Sequence, residues 1–285
     1  MYMTKNTGIR LITVDMDGTL LNGNSVITRR SLDTIARAQA AGVIFSICTG
    51  RFFENASILL KDYGLDCPLI SFNGARTSLA PFGESFTSHK MPREAALATF
   101  WRLEELDAHY FIFGEGFVVV SHDGDMHHSQ KDFGSRMETE ANTSYFYGKE
   151  ACLKALAGGI YKYYIHADHD PLKLSRIRDG LQSVANINLT QSSSANIEVM
   201  PQGIDKGVGV RDLAGHFCIP LSAVMAIGDQ DNDLPMLQTA GFSVAMGNAT
   251  PEIKAMADAI TLSNAEDGVA EAIERYALSP GIGQA

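Results

Sequence analysis

The most informative stretch of this sequence is Leu11-Ile12-Thr13-Val14-Asp15-Met16-Asp17-Gly18-Thr19-Leu20. A mostly apolar run leads into two carboxylates two residues apart, and such a run without polar alternation is typical of a strand buried in a parallel sheet. Asp15 then lies at the carboxyl end of that strand, where open α/β sheets bind ligands. Two ionised carboxylates this close repel each other, so the stretch predicts a bound cation or a shared proton.

Length and composition limit the class of protein. The 285 residues are enough for one large domain or two of ordinary size, and 45% hydrophobic with 20% charged residues is a globular balance. A formal net charge of −10 argues against non-specific binding to nucleic acid or to anionic membranes, both of which need a basic surface. It does not exclude a small anionic ligand, because a pocket can be locally positive.

The cysteines and the apolar runs predict the compartment. The four cysteines are widely spaced without a CxxC pair, which favours free thiols in a reducing cytosol. The first ten residues are polar and lack an apolar signal region, and no apolar run approaches the length of a membrane span. We therefore expect a cytoplasmic protein with neither a nucleic-acid nor a membrane partner.

The first part of the chain alternates strands and helices. Residues 43–48 and 69–72 are further apolar runs, and between the first two strands Thr28 can cap a helix that Gly42 ends. The same rhythm returns from residue 203. This order is the pattern of a doubly wound α/β fold with a mostly parallel, Rossmann-like sheet.

The middle of the chain has a different pattern. Its strands are aromatic and alternating and are often paired without an intervening helix, which favours an antiparallel sheet with helices on one face. We therefore predict an α/β core formed by residues 1–82 and 197–285, and an inserted α+β domain formed by residues 83–196.

Three further polar segments occur where predicted strands end or helices begin. With the first stretch they make a set of four: Asp15-Met16-Asp17-Gly18-Thr19-Leu20, Ile47-Cys48-Thr49-Gly50-Arg51, Gly203-Ile204-Asp205-Lys206-Gly207 and Gly228-Asp229-Gln230-Asp231-Asn232-Asp233-Leu234-Pro235-Met236-Leu237. In sequence and in order, the set resembles the four signature motifs of the haloacid dehalogenase-like phosphohydrolases.

The resemblance implies a role for each polar residue. Asp15 attacks phosphorus, and Asp17 acts as general acid and base. The Thr49 hydroxyl and the Gly50 N–H hold the phosphoryl oxygens; the alternative for Thr49 is a cap of the following helix, and one hydroxyl can serve both roles. Lys206 neutralises the phosphate and the nucleophile, because an anionic carboxylate is repelled by a phosphate dianion.

The same resemblance implies Mg²⁺ as the cofactor. Magnesium prefers octahedral oxygen ligands and keeps several waters, which suits a site of few carboxylates and a phosphate. The implied ligands are the Asp15 side chain, the Asp17 backbone carbonyl and the Asp229 side chain. Asn232 is implied in phosphate binding, and Asp233 in supporting the metal site or orienting the lysine. The alternative for residues 229–233 is an acidic helix amino terminus.

A fifth segment refines the family. Ser71-Phe72-Asn73-Gly74-Ala75 resembles the NGA segment of the Cof-type branch, subclass IIB, which carries its α/β substrate-specificity cap where the predicted insert lies. Asn73 is implied in substrate binding near the phosphoryl group. The alternative is a left-handed Asn-Gly turn without a ligand.

Other conspicuous residues have simpler interpretations. Three histidines, at positions 122, 127 and 128, lie close to Asp123 and Asp125. Their spacing fits no structural metal template, so a polar turn is favoured over a second metal site. The aromatic run at residues 161–164 and the single tryptophan, Trp101, are expected to pack in the core of the insert.

These patterns lead to a specific functional hypothesis. We expect a Mg²⁺-dependent phosphatase that hydrolyses a small phosphorylated metabolite, such as a sugar phosphate or a phosphorylated cofactor, through an aspartyl-phosphate intermediate. Two alternatives remain: a phosphomutase or phosphotransferase that uses the same intermediate, and a non-catalytic regulator that binds a sugar phosphate. The sequence does not distinguish a monomer from a homodimer.

Overall fold

The computed structural model of this protein describes residues 8–122, 136–167, 170–191 and 195–278. The strands are β1 Leu11–Val14, β2 Ile44–Cys48, β3 Leu69–Ser71, β4 Arg76–Ser78, β5 Ser85–Ser88, β6 His109–Phe113, β7 Phe117–Val120, β8 Ser144–Tyr147, β9 Lys162–His166, β10 Ile187–Thr190, β11 Asn196–Pro201, β12 Val224–Gly228, β13 Phe242–Ala245 and β14 Ala259–Ile260. The helices are α1 Arg29–Ala40, α2 Phe53–Asp62, α3 Arg93–Glu105, α4 at residues 136–141, α5 Gly148–Gly158, α6 Pro171–Leu181, α7 Lys206–His216, α8 Leu234–Thr239, α9 Pro251–Met256 and α10 Gly268–Ile273.

The first sheet has eight strands in the order β14-β13-β12-β1-β2-β3-β4-β5. From β14 to β3 the neighbouring strands are parallel, and β4 is antiparallel to β3. Strand β1 is central, with Leu11 beside Ile44 on one side and beside Val224 on the other. All four of its residues are buried, as an uninterrupted apolar run requires. The predicted doubly wound, mostly parallel sheet is confirmed.

The helix between β1 and β2 shows why local sequence specifies these elements. Thr28 is in an extended conformation, and its side chain accepts a hydrogen bond from the backbone N–H of Ser31, as expected of an N-cap residue. At the other end Gly42 has φ +84°, a conformation that glycine adopts at little cost. The predicted cap and stop signals of this helix are both confirmed.

The second sheet has six strands in the order β10-β11-β9-β6-β7-β8. Its described pairs are antiparallel except β7 with β8, which are parallel. Alternate residues of its strands, among them Tyr110 and Tyr163, pack in one apolar cluster with buried residues of α3, α5 and α6. The Tyr163 hydroxyl donates to the Ala96 carbonyl at 2.7 Å. The expected antiparallel sheet with helices on one face is present, with one parallel pair at its edge.

The chain divides into two compact units. The first contains Met1–Gly50, Leu60–Thr87 and Asp205–Ala285, and the second contains Arg51–Leu59 and Ser88–Ile204. These boundaries lie later in the chain than the predicted ones, after residues 82 and 196. The physical reason is strand pairing: β5 extends the eight-stranded sheet, and β11 continues the six-stranded sheet as far as Pro201.

Residues 51–59 also belong to the second unit, which the strand and helix pattern did not predict. The rings of Phe52 and Phe113 stack with their centroids 5.0 Å apart, and the backbone N–H of Gly116 donates to Glu54 at 3.1 Å. The roles of the two units, as catalytic core and as cap, stay a prediction.

The two expectations for aromatic packing had different outcomes. Tyr161 and Tyr163 are fully buried, as predicted. The prediction that Trp101 packs in the core was wrong: it lies on α3 beside the buried Phe100, but 48% of its surface is exposed, and Lys149 Nζ lies 4.9 Å from its ring centroid. Helical spacing places Trp101 on the helix but does not say how far its face is covered.

The conspicuous histidines are only partly described. The His122 ring stacks on that of His109 with centroids 4.5 Å apart, and its Nδ1 lies 2.9 Å from the Ser121 hydroxyl. The other members of the sequence cluster, at positions 123, 125, 127 and 128, lie outside the described residues. Within the described ranges, none of the helices has both the length and the hydropathy needed to span a bilayer.

Candidate active site

Three of the predicted site residues follow neighbouring strands at the carboxyl edge of the first sheet. Asp15 follows β1, Thr49 follows β2 and Asp229 follows β12, and these strands are adjacent. Backbone hydrogen bonds continue the strand pairing as far as Asp15 and Thr49. Asp15 N–H donates to Ile227 O at 3.0 Å, and Thr49 N–H donates to Ile70 O at 2.8 Å. The parallel topology therefore brings residues far apart in sequence to one edge.

The centre of the site is a buried lysine between two carboxylates. Lys206 begins α7 and has no exposed surface. Its Nζ donates to Asp15 Oδ1 at 2.5 Å and to Asp233 Oδ1 at 2.6 Å. Such charge-assisted bonds are short and strong, and a buried ammonium needs them to offset the loss of its hydration. A lone lysine at a helix start is often solvated, and the complete burial of Lys206 excludes that interpretation here.

The second oxygen of Asp233 holds the loop that carries Asp229. Asp233 Oδ2 accepts the backbone N–H of Asp229 at 2.8 Å and that of Gln230 at 3.0 Å. This is a helix-capping arrangement, so the alternative of an acidic helix terminus is correct for Asp233. The same carboxylate also contacts Lys206, and capping and site support are therefore combined in one side chain.

Asp229 is fixed by the loop that follows β1. The Thr19 hydroxyl donates to Asp229 Oδ1 at 2.7 Å, and both residues are buried. Gly18 has φ +80°, and a Cβ at that position would lie 2.5 Å from Asp229 Oδ2. Glycine is therefore favoured at residue 18 for two reasons, its backbone conformation and the closeness of this carboxylate.

The predicted phosphate-binding residues also lie together. The Asn73 backbone N–H donates to Thr49 O at 3.0 Å, and a Cβ on Gly50 would lie 2.9 Å from Asn73 Oδ1. Asn232 Nδ2 donates to the same Asn73 oxygen at 3.4 Å. Asn73 has φ 50° and ψ 41°, so the left-handed Asn-Gly turn is present and brings its side chain to this cluster. Asp17, by contrast, is exposed beside the buried Asp15.

Burial and charge shift the ionisation of the central groups in predictable directions. Burial raises the pKa of Asp15 well above its usual range, and the nearby Asp233 carboxylate adds to this, while the Lys206 ammonium opposes it. Burial also raises the pKa of Asp229, to about 6, against the hydrogen bond from Thr19. For Lys206, burial alone would lower the pKa, but the charges of Asp15 and Asp233 outweigh it and the pKa is raised.

The buried acidic residues lie close enough together to hold a divalent cation. Asp15, Asp229 and Asp233 each offer a carboxylate oxygen, and these oxygens lie within 4.8 Å of one another. With all three carboxyl groups ionised, they and the one ammonium carry an excess of two negative charges, which a divalent ion would neutralise. Carboxylate oxygens are hard ligands of the kind that Mg²⁺ takes. The residues present therefore fit a divalent metal, while the identity of the ion is not determined by them.

Two asparagines at this edge were missed by the sequence interpretation. Asn248 Nδ2 donates to Gly18 O at 2.8 Å, and Asn264 Nδ2 donates to Leu21 O at 2.8 Å. A signal was available for Asn248, because it closely follows β13 and parallel strands end at a common edge. Asn264 lies in a polar turn, where asparagine is common for purely local reasons, and its sequence context carries no comparable signal.

Comparison with known proteins supports the motif assignment. A family model described as haloacid dehalogenase-like hydrolase matches residues 12–273. A 5-amino-6-(5-phospho-D-ribitylamino)uracil phosphatase of Bacillus subtilis, YwtE, is 31% identical over 284 residues, covering 94% of this chain and 98% of the relative. An HMP-PP phosphatase of Escherichia coli O157:H7 is 28% identical over 246 residues, and the match covers 86% of this chain and 87% of the relative.

Solved structures agree with these relatives. The crystal structure of a haloacid dehalogenase-like hydrolase from Bacteroides thetaiotaomicron superposes with a TM-score of 0.78 at 28% identity, covering 94% of this chain and 99% of the other. The family and the enzyme class predicted from the motifs, a phosphoric monoester hydrolase, are both supported by these matches. Because the family model spans most of the sequence, this chain belongs to the haloacid dehalogenase-like hydrolase family.

Proposed function

We propose that this protein is a Mg²⁺-dependent phosphatase that hydrolyses a small phosphorylated metabolite through an aspartyl-phosphate intermediate on Asp15. The observation that carries the proposal is the buried contact of 2.5 Å between Asp15 and Lys206 at the carboxyl edge of the sheet, beside a second carboxylate, Asp229, with an oxygen within 4.8 Å of an Asp15 oxygen. A nucleophilic carboxylate can attack a phosphate dianion only where positive charge reduces the repulsion between them.

In the first step an oxygen of Asp15 attacks phosphorus. A bond forms between that oxygen and phosphorus, and the bond from phosphorus to the leaving oxygen breaks. Asp17 gives its proton to the leaving oxygen, a task suited to a side chain exposed to the incoming substrate. The Thr49 hydroxyl, the Gly50 N–H and the Asn232 amide hold the phosphoryl oxygens.

In the second step water hydrolyses the aspartyl phosphate. Asp17, now a carboxylate, takes a proton from the water as the water oxygen attacks phosphorus. The bond from phosphorus to the Asp15 oxygen breaks, and inorganic phosphate leaves with the Asp15 carboxylate restored. Lys206 stays a cation throughout, because its pKa is raised by the two carboxylates that it contacts.

Asp15, Asp229 and the Asp17 backbone carbonyl are proposed to hold the magnesium ion. When bound, the ion neutralises charge on the phosphate oxygens and on the nucleophile. Asp233 is proposed as a support rather than a ligand, because one of its oxygens contacts Lys206 and the other accepts two backbone N–H groups.

The substrate class is proposed from the relatives. One of them is named for a phosphoribitylamino-uracil and another for HMP-PP, both small phosphorylated molecules. We propose a sugar phosphate or a phosphorylated cofactor precursor, with its specificity supplied by the second unit acting as a cap. Asn73, which lies beside Gly50 and Asn232, is proposed to contact the substrate near the phosphoryl group.

Phosphate release from a panel of phosphorylated metabolites and from para-nitrophenyl phosphate tests the proposal. We expect release that depends on Mg²⁺ and that is abolished by Asp15→Asn, with thermal unfolding used to show that the variant is folded. Asp33→Asn is a matched control, because Asp33 is an exposed carboxylate paired with Arg29 on α1. Equal release from the wild type and from Asp15→Asn would overturn the proposal.

A further inference from the structure

The loop that carries Asp17 is held from outside by two asparagines of other segments. Asn248 Nδ2 donates to Gly18 O at 2.8 Å, and Asn264 Nδ2 donates to Leu21 O at 2.8 Å. The two asparagines are themselves joined, since the Asn264 backbone N–H donates to Asn248 Oδ1 at 2.9 Å. Together they bind both ends of the turn over residues 18–21, and we call the pair the asparagine clamp.

The clamp complements the bonds that the loop makes within itself. Leu20 N–H donates to Asp15 O at 3.2 Å, and Leu21 N–H donates to Met16 O at 2.8 Å. These bonds use the carbonyls that precede the turn. The carbonyls of Gly18 and Leu21, within the turn and at its end, are the ones that accept from the clamp. Apart from the backbone bridge between Asp17 and Leu21, the internal and external bonds therefore fix different peptide groups.

The peptide group that Asn248 holds is one that needs external support. Glycine is favoured at residue 18 because a Cβ would reach Asp229, and a glycine loses more conformational freedom on folding than any other residue. This flexible residue directly follows Asp17. A small displacement of a catalytic group costs a large part of its effect.

The location of the clamp also points to a role in the site rather than in the core. Asn248 is exposed and follows β13, Asn264 is half-buried and follows β14, and the loop that they hold follows β1. In the sheet, β12 lies between β13 and β1 and leads to Asp229. The clamp therefore connects the segments that follow β13 and β14 to the loop that carries Asp17. In the strand order, β12 and its Asp229 come between them.

We propose that Asn248 and Asn264 are positioning residues for Asp17, which they act on through the backbone of the turn over residues 18–21. The proposal rests on the proposed function, in which Asp17 protonates the leaving oxygen. A general acid matters most for a leaving group that departs poorly without a proton and least for one that departs readily. Misplacing Asp17 should therefore lower kcat/KM more for a substrate with a poor leaving group than for one with a good leaving group.

The test compares kcat/KM on para-nitrophenyl phosphate with kcat/KM on the alkyl phosphate hydrolysed fastest in the metabolite panel. This quantity covers the steps up to phosphoryl transfer, and so it includes departure of the leaving group. The variants are Asn248→Ala, Asn264→Ala and the double variant, with Asp17→Asn as reference. Gln39→Ala is the matched control, because Gln39 is exposed on α1 in the first unit and its side-chain amide donates to the Asp66 carbonyl at 3.1 Å.

For Asn248→Ala we expect a loss of about tenfold or more on the alkyl phosphate and of less than about threefold on the aryl phosphate, a fraction of the full effect of a general acid. Asn264→Ala should show the same selectivity, and the double variant should lose less than the product of the single losses, because both act on one loop. The control should change neither value, and the variants should unfold at nearly the wild-type temperature.

Equal losses on both substrates, or no loss on either, in folded Asn248→Ala and Asn264→Ala would overturn the clamp while leaving the phosphatase proposal intact. If Asp17→Asn itself lacked the selectivity, the acid role of Asp17 would fail, and the clamp would be overturned together with that part of the proposed function.

Discussion

Replacing Gly18 by alanine separates the two reasons for a glycine at this position. Gly18 and Gly42 have almost the same backbone conformation, with φ +80° and +84°. A Cβ on Gly42 meets nothing within 4 Å, whereas one on Gly18 lies 2.5 Å from Asp229 Oδ2 and 3.0 Å from Asp229 Oδ1. A left-handed alanine costs roughly 1–2 kcal/mol. The free energy of unfolding should fall by this amount in Gly42→Ala and by more in Gly18→Ala.

The additional effect of Gly18→Ala should appear in the metal dependence. To remove the overlap, the Asp229 carboxylate or the loop has to shift by about half an ångström, and Mg²⁺ demands near-ideal octahedral geometry. A loss of about 1.4 kcal/mol in binding is a tenfold change in affinity. We therefore expect the Mg²⁺ concentration for half-maximal phosphate release to rise about tenfold or more in Gly18→Ala.

In Gly42→Ala the same Mg²⁺ concentration should not change. Urea unfolding gives the stability of both variants, and a Mg²⁺ titration of phosphate release gives their metal dependence. If the two alanine variants lose equal stability and show the same Mg²⁺ dependence, the closeness of residue 18 to Asp229 does not control the site, and the reasoning is refuted.

Three further predictions concern single contacts. Lys206→Met should destabilise the metal-free protein by about 3–5 kcal/mol in urea unfolding, because it leaves two buried carboxylates without their cation; a loss below about 1 kcal/mol would contradict this. Thr19→Val should raise the half-maximal Mg²⁺ concentration about tenfold by removing the donor to Asp229, whereas Thr19→Ser should not. Glu274 pairs with Arg30 on the surface, and its side-chain hydrogen bond to Arg30 is the main reason that its pKa is lowered from 4.5. The pair should contribute less than about 1 kcal/mol of stability after solvent screening. This contribution should be present at pH values above the unfolded-state pKa of 4.5 and should be lost as the pH falls through the lower pKa of the folded protein. Glu274→Gln should therefore lower the unfolding temperature at neutral pH but not at strongly acidic pH.

The parts of the fold and site that could be predicted from sequence share one property. Asp15, Thr49 and Asp229 directly follow strands whose residues are all or nearly all buried, and an uninterrupted apolar run is the strongest local sign of such a strand. Since parallel strands end at one edge, these three runs, together with the family resemblance of the motifs that follow them, predicted that the side chains lie together. The tertiary arrangement was encoded in local pattern and strand direction.

The parts that could not be predicted depend on neighbours that local sequence does not reveal. The exposure of Trp101 depends on which elements cover α3, and helical spacing does not contain that information. The grouping of residues 51–59 with the second unit depends on contacts with Phe113 and Gly116, more than fifty residues away in the sequence. Asn264 is one polar turn residue among many, and only the distance to Leu21 O distinguishes it.

The most direct test of the account is to locate the phosphoryl group on the protein. The enzyme would be mixed with Mg²⁺ and its best substrate, quenched in acid during turnover, digested and examined by mass spectrometry. The account predicts a phosphoryl group on the peptide that contains Asp15, absent from Asp15→Asn and from a sample without substrate. Steady hydrolysis with no phosphorylated peptide, or with the group on a different residue, would contradict the nucleophilic role of Asp15.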